Sequence, residues 1–244
     1  MQLIKLDATA STNVYLKELM QEASLADFTI VIANEQLNGK GQMGSSWQSE
    51  KGKNLTFSVL KHHANLNVRD QFYLNMVVSL AIFKTLNSFK IPDIHIKWPN
   101  DILSGKNKIC GILIENIFFG QKITSSVIGI GLNVNQTQFA GLPNVSSLQL
   151  LKGKNFDLDE VLNLVVKNLE KLFIDFEKGL QESLKEAYLN VLFRKDKAST
   201  FTNLKNNELF TGIIRNISDE GKLIVQVEDE ILKSFDLKEV KLMY

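Results

Sequence analysis

A single cysteine, Cys110, has no partner for an internal disulfide, and three prolines in 244 residues leave no stretch that reads as a rigid or disordered linker. Long hydrophobic runs are missing as well. The segment FYLNMVVSLAIF is interrupted by Asn75 and falls short of the roughly 20 apolar residues that cross a bilayer, so no membrane span is expected. Charge of one sign is also absent. Twenty-eight Lys and Arg against 27 Asp and Glu give a formal net charge of +1, which singles out neither nucleic acid nor an acidic membrane; any anion site must be local. The three histidines, His62, His63 and His95, show no metal-ligand spacing and read as structural or surface residues. The opening MQLIKLDATASTN lacks the charged, apolar and small-residue sections of a secretory signal, so a reducing cytoplasm is the expected location.

What is present is ordinary globular material, 44% hydrophobic and 23% charged, punctuated by one unusual loop. The stretch GKGQMGSSW, from Gly39 to Trp47, contains the pattern G-x-G-x-x-G. That pattern marks a dinucleotide site when a strand feeds it and a helix leaves it. Here TIVIA reads as the strand before, but the polar SSWQSEKGKN leads into a second strand, LTFSVL. A glycine-rich connector between two strands can still cradle phosphate through its backbone N–H groups, and it can equally be a plain flexible hairpin.

Periodicity along the chain predicts a mixed α+β domain. Residues 2 to 6 form a first strand, and Ser11 and Thr12 offer hydroxyl caps to a helix whose apolar positions include Val14, Tyr15, Leu19 and Met20. VRDQFYLNMVVSLAIFKTLNSF reads as a long buried helix ending before Pro92. Strands return at Ile94 to Lys97, and Trp98-Pro99-Asn100-Asp101 makes a turn. Another strand runs from Ile109 to Glu115, with residues 122 to 134 as its antiparallel neighbour. Two helices, broken near Gly179, are expected between Asp157 and about Leu192. Residues 1–195 are expected to form this domain and residues 196–244, rich in short β runs and turn signals, a small C-terminal β-barrel.

Four segments in order carry a resemblance: Ser11-Thr12-Asn13; the loop Gly39 to Trp47; KWPND (97–101) with KICGILIE (108–115); and GIGLNVN (129–135). Together they resemble biotin protein ligase, and the C-terminal GIIRNISDEGKLIV resembles that family's small barrel. The resemblance implies a catalytic domain related to the class II aminoacyl-tRNA synthetase fold. It also implies a reaction in which the biotin carboxylate is joined to AMP from Mg-ATP and the biotinyl group then passes to a lysine of a biotin carboxyl carrier protein or domain.

Residue by residue, the resemblance implies that Ser11, Thr12, Asn13 and Gln36 hydrogen-bond the biotin head. Gly39, Lys40 and Gly41 would close over the vitamin, and Gly111 would lie beside its tail. Gln42, Met43, Gly44, Trp47, Asn100 and Asn133 fall on the nucleotide side. Lys108 matches the lysine that bridges the biotin carboxylate and the α-phosphate; Asp101 would accept a proton from the incoming amine or orient it; Lys40 supplies a further cation. Gln42, Met43 and Ser45 stand where arginines are common, so Lys108 and Mg²⁺ would carry more of the charge. Glu239 loosely matches an acid near the nucleotide, with Met243 where a basic residue often follows. The resemblance also allows a homodimer through the catalytic sheet.

Other readings remain. Lipoyl and octanoyl transferases share the superfamily and some use a cysteine nucleophile; Cys110, inside an apolar strand pattern with no histidine signature beside it, reads better as a small buried hydrophobe. A catalytically silent biotin binder is a second alternative. A repressor that uses biotinyl-adenylate as its signal is a third, but only ten residues precede Ser11 where such members carry a winged helix-turn-helix, so no DNA partner is expected.

Overall fold

A computed structural model describes residues 2–244, leaving out the side chain of Met43. Its elements in chain order are β1 (Gln2–Thr9), α1 (Thr12–Glu22), β2 (Thr29–Gln36), β3 (Leu55–Asn67), α2 (Gln71–Ser88), β4 (Ile94–Lys97), β5 (Asp101–Ser104), β6 (Asn107–Phe119) and β7 (Lys122–Leu132). They continue with α3 (Leu148–Lys152), α4 (Leu158–Glu177), α5 (Gln181–Asn190), β8 (Ala198–Asn203), β9 (Leu209–Ile217), β10 (Leu223–Gln226), β11 (Leu232–Phe235) and β12 (Val240–Met243). Seven strands form one mixed sheet in the order β1-β2-β3-β7-β6-β5-β4. Only β1 and β2 run parallel, joined by the crossover helix α1; every other neighbouring pair in this sheet is antiparallel.

The two faces of this sheet are finished differently. Phe57, Ile112 and Ile130 point into a large apolar core with α2, α4 and α5. The helix α2 is apolar nearly all round, as a helix must be when neighbours cover most of it. Each large apolar side chain fully buried there, such as Phe57 or Phe173, contributes about 1.5–3 kcal/mol. On the opposite face α1 packs Leu16 on Val31, Leu60 and Val127, a smaller cluster that covers one end of the sheet. The other end of that face carries Thr56, Ser58, Gly111, Gly129 and Gly131 at paired positions, too small to hold a helix, and a cleft opens above them.

The C-terminal strands make a five-stranded antiparallel sheet in the order β11-β10-β9-β8-β12. The barrel expected from sequence is not closed: among the described residues β11 and β12 remain its two unpaired ends. Phe201, Phe210 and Phe235 stack across its strands at 5.3 and 5.5 Å between centroids. Its turn at residues 218–221 docks on the first sheet's side. Gly221 lies against Phe72, Trp98 Nε1 donates to the Gly221 carbonyl at 2.9 Å, and Lys185 pairs with Asp219 at 2.6 Å. Residues of both sheets belong to one continuous apolar cluster.

Other differences from the sequence reading are local. Strands extend beyond their expected ends because backbone pairing continues past them, through polar residues at the far end of β3 and through the exposed Ile117, Phe118 and Phe119 at the far end of β6. The short helix α3, capped by the Ser147 hydroxyl and ended by left-handed Gly153, lacks the length that would make it visible as a periodicity. Ser11 occupies the N-cap of α1, but its side chain makes no capping hydrogen bond.

Gly221 has φ +90°, and a Cβ there would collide with the Phe72 ring. Gly221→Ala is therefore expected to destabilise the protein by roughly 1–3 kcal/mol, combining backbone strain with overpacking. Denaturant unfolding checks this, and a loss below about 0.5 kcal/mol would mean that Phe72 moves aside freely.

Candidate active-site cleft

The cleft, of about 620 Å³, is floored by glycine backbone. Gly111 and Gly131 are direct cross-strand partners in β6 and β7, and both lie under the indole of Trp47. A Cβ on Gly131 would overlap that indole, while one on Gly111 would sit 3.1 Å from it and 3.3 Å from Lys108 Nζ. Gly129, two residues earlier in β7, admits Asn13 in the same manner, with only 2.5 Å between a would-be Cβ and Asn13 Oδ1. Absence of side chains on three residues thus lets two others lie flat on the sheet.

The loop above the floor is a closed hairpin. Trp47 N–H donates to the Gly39 carbonyl at 2.8 Å and Gly41 N–H to the Ser45 carbonyl at 2.7 Å, with a 3-10 turn at Gln42–Gly44 as its tip. This fixes the base of the loop and aims Trp47 inward. Its Nε1 is buried without a hydrogen-bond partner, an orphan donor that an acceptor entering the cleft would satisfy. Lys40, Gln42, Ser45 and Ser46 line the cleft beside it.

A β-bulge places the charged groups. In the β5/β6 ladder Asp101 pairs with Gly111 and Ile102 with Cys110, but Leu103 pairs with Lys108, leaving Ile109 as the extra residue. Strict alternation would send Lys108 and Gly111, three apart, to opposite faces. The bulge instead brings both to the cleft face while Ile109 stays in the core. Hydrogen bonds from Lys108 N–H to the Asn144 carbonyl, 2.7 Å, and from Ser146 N–H to the Lys108 carbonyl, 3.0 Å, clamp its backbone.

Lys108 Nζ lies 2.6 Å from Asp101 Oδ1, and Lys97 Nζ lies 3.6 Å from Asp101 Oδ2. The Lys108 contact is an ion pair outside hydrogen-bond geometry, so Oδ1 is buried with acceptor capacity unused. Lys108 also lies 5.7 Å from the Trp47 ring. Asn100 holds the preceding turn to β6, its Nδ2 donating to the Ile112 carbonyl at 2.8 Å and its own carbonyl accepting from Ile112 N–H at 3.0 Å. The Trp98–Pro99 peptide bond within this turn is cis.

At the other end, Gln36 Oε1 accepts from Thr12 N–H at 2.8 Å and lies 3.1 Å from Thr12 Oγ1. The Thr12 N–H at the start of α1 is therefore satisfied from β2, and the Ser11 hydroxyl makes no capping bond. Ser58 Oγ lies 2.7 Å from Thr12 Oγ1 and 2.5 Å from Asn13 Oδ1, and Asn13 Nδ2 donates to Glu115 at 2.8 Å. Burial opposes ionisation of Glu115, but hydrogen bonds from Lys17 and Asn13 outweigh it and hold the carboxyl below its usual range.

Twelve of the residues singled out in the sequence line this one cleft: Ser11, Thr12, Asn13, Gln36, Lys40, Gly41, Gln42, Trp47, Asn100, Asp101, Lys108 and Gly111. Gly39 stands just behind, against the Trp47 carbonyl, and Gly44 is exposed at the loop tip. Asn133 is not on the cleft; it is buried, with Nδ2 donating to the Ser146 carbonyl at 3.0 Å. Glu239 is also elsewhere, pairing with Lys205 at the surface. The expectation for the Met43 side chain lies outside the described residues. Sequence reasoning missed Lys97, Lys241 and Leu237, which line the cleft. The first was visible only as the start of KWPND, and the other two reach the site by docking of the C-terminal sheet.

Among the described residues, no group of three or more His, Cys, Asp and Glu is placed to hold a metal ion. Asp101, lying between two ammonium groups, does not form a resident magnesium site. Cys110 is fully buried, and its thiol is pushed far up by burial, so it is no nucleophile. No described helix is long and apolar enough to cross a membrane.

This architecture is shared with solved biotin ligase structures. The biotin protein ligase from Aquifex aeolicus in complex with biotin and ATP superposes with TM-score 0.80 at 24% identity, covering 99% of this chain and 98% of that one. The profile of the Biotin/lipoate A/B protein ligase family matches residues 6–133, and the chain belongs to that family. Curated relatives include the bifunctional ligase/repressor BirA of Bacillus spizizenii, 28% identical over 96% of this chain and 72% of that protein. Another is the biotin--[acetyl-CoA-carboxylase] ligase of Mycobacterium tuberculosis, 26% identical over 90% of this chain and 81% of that protein.

Two measurements follow. Gly131→Ala is expected to expel Trp47 from its seat, seen as greater acrylamide quenching of tryptophan fluorescence, at a cost of about 1–3 kcal/mol if the displaced ring cannot repack. Unchanged quenching would mean that the indole does not rest on Gly131. For Glu115, whose folded pKa lies below the ordinary 4.5, stability is complete above about pH 4.5 and is lost as pH falls through the lower folded value. Glu115→Gln should flatten that acid limb in thermal melts between pH 3 and 7.

Proposed function

We propose that the protein is an ATP-dependent biotin protein ligase that forms biotinyl-5'-AMP and transfers biotin to a lysine of a biotin carboxyl carrier domain. The observation that carries this reading is the single cleft in which a hydrogen-bonding end, an indole-covered glycine floor and an Asp101–Lys108–Lys97 charge cluster follow one another. Its volume, about 620 Å³, is in the range of small-molecule sites and suits a long, two-ended ligand.

In the first step an oxygen of the biotin carboxylate attacks the α-phosphorus of Mg-ATP, forming the acyl phosphate bond while the bond to pyrophosphate breaks. Two anions must approach, and the fixed ammonium of Lys108 lowers that repulsion, as Lys97, Lys40 and Lys241 do from the cleft walls. Magnesium arrives on the phosphates of the nucleotide substrate. Thr12, Asn13 and Gln36 offer donors and acceptors to the ureido ring, whose carbonyl would take over the Thr12 N–H now held by Gln36. Trp47 and the loop exclude water from the reactive anhydride.

In the second step a neutral amine attacks the acyl carbon, AMP leaves, and the amine loses a proton. The buried acceptor Asp101 Oδ1 stands where that N–H can be held. The carrier is read as docking on β1. The outer edge of β4 already pairs with residues 191–193, whereas β1 is an exposed edge that ends beside Ser11. Supply of ATP and carrier puts the reaction in the cytosol.

Incubation with biotin, Mg-ATP and a carrier domain is expected to release pyrophosphate only when biotin is present, and to raise the carrier mass by one biotinyl group. Lys108→Ala should lower adenylate formation about 100-fold or more with the fold intact. Undiminished pyrophosphate release in a folded Lys108→Ala protein would remove the role assigned to that ammonium.

A further inference from the structure

The β4–β5 turn carries Lys97 at one end and Asp101 at the other, yet its strands have only four residues each and lie at the end of the sheet. Asn100 ties the far side of the turn to β6. Its near side, residues 97–99, is instead held by the C-terminal segment through two contacts. Trp98 Nε1 donates to the Gly221 carbonyl at 2.9 Å. The Lys97 ammonium lies 5.0 Å from the ring of Tyr244, which is itself braced edge-on by Phe193 at 5.2 Å. A small cavity of about 110 Å³ separates residues 97–99 from Leu237, Val240 and Lys241.

The gripping turn is itself anchored. Lys185 of α5 pairs with Asp219 at 2.6 Å, and Gly221 fits against Phe72 of α2 with no room for a side chain. An immobile carbonyl therefore fixes the Trp98 indole, and an aromatic face fixes the direction of the Lys97 ammonium.

We propose that the C-terminal sheet is a seat for the β4–β5 turn, with Trp98 and Tyr244 as positioning residues that set where Lys97 and Asp101 present their charges in the cleft. The inference rests on the ligase reading above and adds a task for the second sheet. Neither Trp98 Nε1 nor the Tyr244 ring lines the cleft, so both act through their neighbours in the turn. Loosening the seat leaves the biotin end of the cleft, formed by α1, β2 and β3, untouched. The effect falls on turnover, since displacement of a charged group by about an ångström can cost up to ~100-fold in rate.

The test compares Trp98→Phe, Tyr244→Leu and Tyr244→Phe with the parent in biotin-dependent pyrophosphate exchange, together with biotin affinity by calorimetry. Trp98→Phe keeps an aromatic ring, though a smaller one, and removes the donor; Tyr244→Phe keeps the ring that Tyr244→Leu removes. Expected is a kcat about tenfold lower for Trp98→Phe and Tyr244→Leu, with KM and Kd for biotin within about twofold of the parent and Tyr244→Phe restored to parental kcat. Should Trp98→Phe fail to fold, the Tyr244 pair decides alone, because that ring is only partly buried. Parental kcat in folded Trp98→Phe and Tyr244→Leu, or biotin affinity falling in step with kcat, overturns the positioning role. A parent chain that shows no biotin-dependent exchange overturns the ligase reading and this inference with it; a parent that exchanges while all variants match it overturns this inference alone.

Discussion

Two glycines facing each other across β6 and β7 are the constraint on which the site depends. Because Gly111 and Gly131 carry no side chain, a large flat group can lie directly on sheet backbone, and in this structure Trp47 does so. The position of the loop follows, since Trp47 is also the base of its hairpin. So does the wall beside Lys108, whose ammonium stands next to the same bare backbone. Side chains of ordinary size at 111 and 131 would fill the cleft from below.

Most of the positive charge at the cleft is carried by strands. Between Gly39 and Trp47 only Lys40 brings a cation to the cleft, whereas Lys97, Lys108 and Lys241 project from strands. Strand-borne charges are held by backbone ladders and do not depend on loop closure for their placement. In the proposed reaction this divides most of the work: the loop shields, with Lys40 adding one charge, and the sheets supply the remaining cations. Asp101 keeps the neighbouring ammonium groups apart and oriented, at the cost of a partly desolvated carboxylate that pairing offsets.

Much of this was legible in the sequence because the signals were local. The apolar runs of β2, β3 and β7, the long apolar α2 and the break at Gly179 each report their own element. The four ordered motifs also brought most cleft residues together. What escaped depends on pairing between distant segments. The bulge at Ile109 is set by how β5 meets β6, and the cap of α1 comes from Gln36, 24 residues further on. Lys241 and Leu237 enter the site only through docking of a second sheet. The resemblance put Asn133 on the nucleotide side; the strand ends at Leu132, and the Asn133 side-chain amide donates to the Ser146 carbonyl. Closure of the C-terminal strands likewise turned on whether β11 and β12 meet, which no short segment encodes.

Cys110 lies one residue from Gly111 yet faces away from it into the core, wholly shielded and disinclined to ionise. Thiol-directed dyes and spin labels will therefore find no native anchor on the folded molecule. A cysteine introduced at any outward position becomes its sole attachment point, so distances across the loop and the second sheet can be followed spectroscopically without first removing a residue beside the reactive centre.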